Sequence, residues 1–118
     1  MVLEDAGISG KIPEWFVDLN LQLDVLDLSG NQLVGKVPNS LRFSSSSSVD
    51  LSSNQFGGSF PLWSSNVTDL SMSNNLFSGP IPPDIGIKMP NLEYLDISNN
   101  SLVGSIPMSF ANMTSLSY

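Results

Sequence analysis

The sequence predicts an α/β solenoid. This is a right-handed coil forming a horseshoe segment, with a parallel β-sheet on its concave face and 3₁₀ or irregular structure on its back side. Three observations predict it. One frame, L-x-x-L-x-L-x-x-N-x-L-x-G-x-I-P, fits the chain from end to end, most clearly at 23–38 (LDVLDLSGNQLVGKVP) and 92–107 (LEYLDISNNSLVGSIP). Its asparagine recurs at Asn31, Asn54, Asn75 and Asn100, with Ala6 in the slot before, at spacings of 25, 23, 21 and 25 residues. A period of about 20–29 residues suits one coil of a solenoid. Within each copy, x-L-x-L-x alternates as a half-buried strand does, sending the apolar residues inward and the x residues outward.

The copies follow in order. The 118-residue chain reads as one repeat array, with a partial copy at 1–22, copies at 23–45, 46–66, 67–91 and 92–115, and the start of another at 116–118. The first copy keeps only its second half: Ile8, Gly10, Ile12-Pro13, Phe16 and Leu19. The third is degenerate. Ser46 stands where its first Leu belongs, inside the serine run 44–48, and Trp63 fills space left by missing apolar residues. Strands are expected near 26–28, 49–51, 70–72 and 95–97. Met1 and Leu3 take strand-core slots and Leu116 a first Leu slot, so an interior piece of a longer array is expected.

Each recurrent residue has a physical reason. Asn carries one acceptor and two donors on a short side chain. Buried at a turn, Asn31, Asn54, Asn75 and Asn100 can satisfy backbone groups of their own and the adjacent coil, and a ladder of them is expected. Gly10, Gly35, Gly58, Gly79 and Gly104 allow a turn or close approach that a Cβ would obstruct. The following Ile-Pro, Val-Pro or Phe-Pro fixes φ and removes a donor where the chain leaves the sheet. The back segments (PEWFVDL, PPDIGI, PMSFANM) are long enough only for single turns of 3₁₀ or α-helix.

Composition narrows the function. Charged residues make up 13%, against roughly 25% in an ordinary domain. Eleven acids against four bases give a net charge of −7, which argues against nucleic acid and against an anionic membrane surface. No signal peptide and no apolar run of about 18 residues is visible, so the segment itself is expected to make no membrane contact. His and Cys are absent, which removes the usual general bases, thiol nucleophiles and most transition-metal ligands. No enzyme activity, cofactor or metal is expected.

The G-x-I-P signature after N-x-L carries a resemblance. The chain resembles the plant-specific leucine-rich repeats in the extracellular parts of plant receptor kinases and receptor-like proteins. The stretches WFVDLNLQLDVLDLSGNQLVGKVPNSL, PLWSSNVTDLSMSNNLFSGPIP and IGIKMPNLEYLDISNN are similar to receptor-like proteins related to the receptors for fungal xylanase elicitor. That resemblance implies a ligand-recognition module on the outer side of the plasma membrane. It would bind a protein or peptide, in defence signalling, through a receptor kinase co-receptor. Two alternatives stay open: the ectodomain of a receptor kinase, and a secreted inhibitor of microbial wall-degrading enzymes.

The outward strand positions form columns. Val25, Ser48, Asp69 and Tyr94 make one; Asp27, Asp50, Ser71 and Asp96 make the next; Ser29, Ser52, Ser73 and Ser98 follow. Asp24 and Glu93 flank them, and all four bases (Lys11, Lys36, Arg42, Lys88) fall in the back halves. One reading is an acidic concave face that selects a basic partner patch. The other is that L-D-L-S is simply the default wording of the repeat. Val25 and Tyr94 depart from that wording and are the stronger contact candidates, with Val25, Asp27, Asp50, Asp69, Ser71, Tyr94 and Asp96 as the candidate ligand-binding set. Three glycosylation sequons begin at Asn66, Asn99 and Asn112, about as many as composition gives by chance.

Overall fold

Two parallel sheets share every coil. The structure is a computed structural model that describes residues 2–12, 22–37, 42–61 and 67–103. A four-stranded sheet is ordered β2–β4–β6–β8, built from β2 (Gln22–Asp27), β4 (Arg42–Asp50), β6 (Val67–Ser71) and β8 (Tyr94–Asp96). A five-stranded sheet is ordered β1–β3–β5–β7–β9, from β1 (Ser9–Gly10), β3 (Gln32–Gly35), β5 (Gln55–Gly58), β7 (Leu76–Pro80) and β9 (Ser101–Val103). The chain visits the sheets alternately, so each strand pairs in parallel with its counterpart one coil away. This is a solenoid, with the four-stranded sheet as its concave face.

The four-stranded sheet is the expected one, entered somewhat earlier. Its ladder continues past the strand ends through Leu28 N–H to Asp50 O (2.9 Å), Leu51 N–H to Ser71 O (2.8 Å) and Met72 N–H to Asp96 O (2.7 Å). The inward positions are fully buried: Leu26, Val49, Leu70 and Leu95 in one row, Leu51 and Met72 in the next.

The five-stranded sheet lies in the N-x-L-x-G segment, where only a turn was expected. Its alternation is short but regular. Gln32, Gln55 and Leu76 face out while Leu33, Phe56 and Phe77 are buried. The Phe56 and Phe77 rings stack across coils with centroids 6.3 Å apart and planes at 22°. At the end of β5, Gly58 has φ +79°, and a Cβ there would sit 3.0 Å from Lys36 Cγ. The lysine stem of one coil thus lies along the glycine of the next, as Lys11 does at Gly35.

Between the sheets the chain turns through a left-handed residue immediately before each ladder position: Asp5, Gly30, Ser53, Asn74 and Asn99, with φ between 49° and 70°. Asp, Gly and Asn tolerate that region more readily than other types. Among the described back segments, PPDIGI forms one α-helical turn, α1 (Ile85–Lys88), which buries Ile85 and Met89. The segments PEWFVDL and PMSFANM, with Trp15 and Trp63, lie outside the described residues.

The degenerate copy differs from expectation. Leu23 pairs with Phe43 and Val25 with Ser48, so residues 44–47 of β4 bulge opposite Asp24 alone. On the other side Ser47 pairs with Val67 and Ser48 with Asp69. Ser47 is buried and pairs with Val67, and Arg42 opens a strand instead of lying in a back segment. A bulge absorbs the length mismatch and leaves the downstream register intact.

Candidate functional site

The outward face of the four-stranded sheet brings the candidate residues together. Val25 faces Ser48, Ser48 faces Asp69 and Asp69 faces Tyr94. Asp27, Asp50, Ser71 and Asp96 are likewise in register. Both columns lie as the alternation requires, because the leucines between them are drawn into the core. Val25 and Tyr94 are 41% and 46% exposed, among the large apolar side chains most open to solvent on this sheet.

The acidic residues divide into two kinds. Asp27 Oδ1 accepts from the Ser29 backbone N–H (3.0 Å) and Ser29 Oγ (2.6 Å). Asp50 does the same with Ser52 (2.9 and 2.6 Å), and Asp96 with Ser98 (3.1 and 2.7 Å). One oxygen of each carboxylate thus closes the turn that follows its strand. In D-x-S the hydroxyl and amide two residues on are within reach of the Asp side chain, which makes this a local structural bond. Asp69 is exposed; the serine two residues on, Ser71, lies inside β6 and not in a turn, and the Asp69 carboxylate has no partner among the described residues.

The asparagine ladder runs between the sheets. Asn54 Nδ2 donates to Leu28 O (2.8 Å), Leu51 O (3.2 Å) and Ser52 O (3.2 Å), while its Oδ1 accepts from Leu33 N–H (3.1 Å). Asn75 repeats this with Leu51, Met72, Ser73 and Phe56 N–H, and Asn100 with Met72, Ile97, Ser98 and Phe77 N–H. Asn31 reaches Leu3, Leu28 and Ser29 and accepts from Ala6 and Ile8 N–H. Asn31, Asn54 and Asn75 are buried and Asn100 half-buried. The ladder positions the site by fixing where each strand ends.

Of the sequons, Asn99 is exposed, and its Nδ2 donates to Asn74 Oδ1 (2.8 Å); Asn66 and Asn112 lie outside the described residues. No group of three His, Cys, Asp or Glu residues is arranged to hold a metal among the described residues. No described helix is long and apolar enough to cross a membrane.

Sequence reasoning placed every column but missed the serine locks on the Asp column. The sequence signal is partial: D-x-S occurs at Asp27, Asp50, Asp69 and Asp96 alike, and the bond forms at the three whose serine lies past the end of its strand, whereas Ser71 is still inside β6.

The fold and this open face define a leucine-rich-repeat-type solenoid with an exposed parallel sheet. A family model described as Leucine Rich Repeat matches residues 22–44, 66–86 and 91–113, and the chain belongs to that family. Its relatives are plant receptor-like proteins. It is 40% identical over 83 residues to Receptor-like protein 34 of Arabidopsis thaliana, covering 67% of this chain and 8% of that protein. It is 38% identical over 77 residues to Receptor-like protein EIX2 of Solanum lycopersicum, covering 64% and 8%. Among solved structures it resembles the Arabidopsis receptor kinase HAESA in complex with the peptide hormone IDA and the co-receptor SERK1. That match has a TM-score of 0.75 at 30% identity, covering 93% of this chain and 19% of that one. The chain thus spans about a tenth of the length of the curated relatives it matches.

Proposed function

We propose that this segment forms part of the ligand-recognition surface of a plant cell-surface receptor-like protein. The outward face of β2, β4, β6 and β8 takes a protein or peptide ligand. Signalling, in defence, passes to a partner receptor kinase, because the repeat array carries no catalytic machinery of its own. The observation that carries the reading is the pair Tyr94 and Asp69, neighbours on adjacent strands, both exposed. Side chains projecting from a sheet lose little freedom on binding, and aromatic residues are enriched at binding hot spots. The likeness to a receptor in complex with a peptide hormone and a co-receptor supports the partner classes. In this reading the sequons at Asn66, Asn99 and Asn112 are candidate glycan sites on the secretory route.

The same likeness supports a receptor-kinase ectodomain as the second reading. The sequence that follows the array in the parent protein separates the two, a kinase domain indicating the second.

The test is a titration of the parent ectodomain against a ligand recovered by affinity capture from apoplastic fluid or microbial culture filtrate. Tyr94→Ala weakens binding more than about 5-fold, a usual hot-spot threshold, while Lys88→Ala on the helical turn leaves it unchanged. Equal effects of the two substitutions count against the concave-face assignment.

A further inference from the structure

Asp69, Tyr94, Ser71 and Asp96 occupy four neighbouring outward positions. Asp69 pairs with Tyr94 and Ser71 with Asp96, so they form the corners of a rectangle on β6 and β8. Its sides are about 4.8 Å across the strands and about 6.6 Å along them. The two carboxylates stand on one diagonal, about 8 Å apart at the backbone, with Tyr94 and Ser71 on the other. Resting on the reading that this face binds a protein or peptide, we propose that this rectangle is the seat of an arginine side chain of the ligand.

Four features favour arginine. First, Ser71 interrupts the acidic column. Asp27 and Asp50 stand side by side, but between Asp50 and Asp96 the small serine leaves the middle of the rectangle open. Second, the carboxylates are ready to accept. Asp96 holds one oxygen on Ser98 and so presents the other in a fixed direction, and Asp69 has no partner of its own among the described residues. Third, Tyr94 is exposed and makes no ring contact with another described aromatic. A guanidinium stacks on such a ring by its face while its N–H fork reaches the acids on either side. A lysine ammonium is a point charge and satisfies one carboxylate at a time. Fourth, the described lysines are elsewhere: Lys11 and Lys36 lie along the five-stranded sheet and Lys88 on α1. None of these described lysine side chains stands at the seat, and a cation from another molecule can take it.

The test titrates the isotope-labelled 118-residue chain with acetyl-Gly-Gly-Arg-Gly-Gly-amide, its citrulline counterpart and its lysine counterpart, read by amide chemical shifts. The arginine peptide is expected to shift Asp69, Ser71, Tyr94 and Asp96 saturably. The neutral, isosteric citrulline peptide binds at least about 5-fold more weakly, and the lysine peptide falls between. Asp69→Asn and Tyr94→Leu each lower arginine affinity at least about 3-fold. Tyr94→Phe, which keeps the ring, and Asp84→Asn, remote from the seat, leave it unchanged. Equal affinity for arginine and citrulline peptides, no saturable shift, or shifts centred on Asp27 and Asp50 overturns the proposal. If the peptides discriminate as expected but Tyr94→Ala leaves the natural ligand's affinity intact, the seat stands and the recognition reading falls. If the peptides fail while Tyr94→Ala weakens the natural ligand, the reverse holds.

Discussion

Asn31 and Asn54 share the carbonyl oxygen of Leu28, at 2.9 and 2.8 Å, one from the same coil and one from the next. Leu51 O is shared in the same way by Asn54 and Asn75, and Met72 O by Asn75 and Asn100. Each of these three carbonyls thus has two asparagine donors, but each N–H that an asparagine oxygen accepts has that one acceptor. Removing one asparagine therefore harms donors more than acceptors. Asn54→Ala leaves the Leu33 N–H buried and unpaired, while Leu28 O and Leu51 O keep the neighbouring asparagines. The expected loss is about 1–3 kcal/mol, the penalty of one orphaned buried group. Urea unfolding of Asn54→Ala beside Gln55→Ala, an exposed neighbour, checks it, and equal midpoints would refute the ladder's role.

Gly57 and Gly58 are adjacent and differ in what they tolerate. Gly58 has φ +79° and would bring a Cβ within 3.0 Å of Lys36 Cγ, whereas at Gly57 the nearest atom is Leu76 O at 3.7 Å, an ordinary contact. Gly58→Ala is expected to destabilise by about 1–2 kcal/mol, the cost of a left-handed non-glycine residue. Gly57→Ala stays within about 0.5 kcal/mol. Pairing Gly58→Ala with Lys36→Ser separates crowding from backbone strain, and the double variant should recover only a minor part of the loss.

Ser47 is fully buried, and its Oγ has no hydrogen-bond partner among the described residues. Ser47→Ala removes an unsatisfied hydroxyl with little change in volume. It is expected to stabilise the chain, by up to about 1–3 kcal/mol if the whole desolvation penalty is relieved. A denaturation midpoint at or below the parent's would show that the hydroxyl is satisfied in solution.

Asp50 and Asp69 lie on adjacent strands and separate structural from free acids. Asp50→Ala loses two hydrogen bonds to Ser52 and is expected to destabilise by about 1 kcal/mol or somewhat more. Asp69→Ala breaks no side-chain bond among the described residues and should leave stability within about 0.5 kcal/mol. If both lower the unfolding midpoint equally, the division of the acids into locked and free carboxylates is wrong.

The sequence by itself determined the period, the inward leucines, the ladder asparagines and the columns that share the concave face. These are legible because alternation and turn chemistry are local, set by residues within one copy. Tertiary structure decided the rest. The short x-L-x-G segments become strands only because a neighbouring coil supplies partners, as Gly57 and Gly58 do for Leu76 and Phe77. That Ser47 pairs with Val67 was settled by the stacking of the coils, not by counting from the asparagine. The roles of the acids also depended on what stands beside them. Asp96 is held by Ser98, and Asp69 is left facing Tyr94, a residue 25 positions away in the chain. Contacts between coils join residues that no local pattern connects, so their consequences are fixed only once the coils stack.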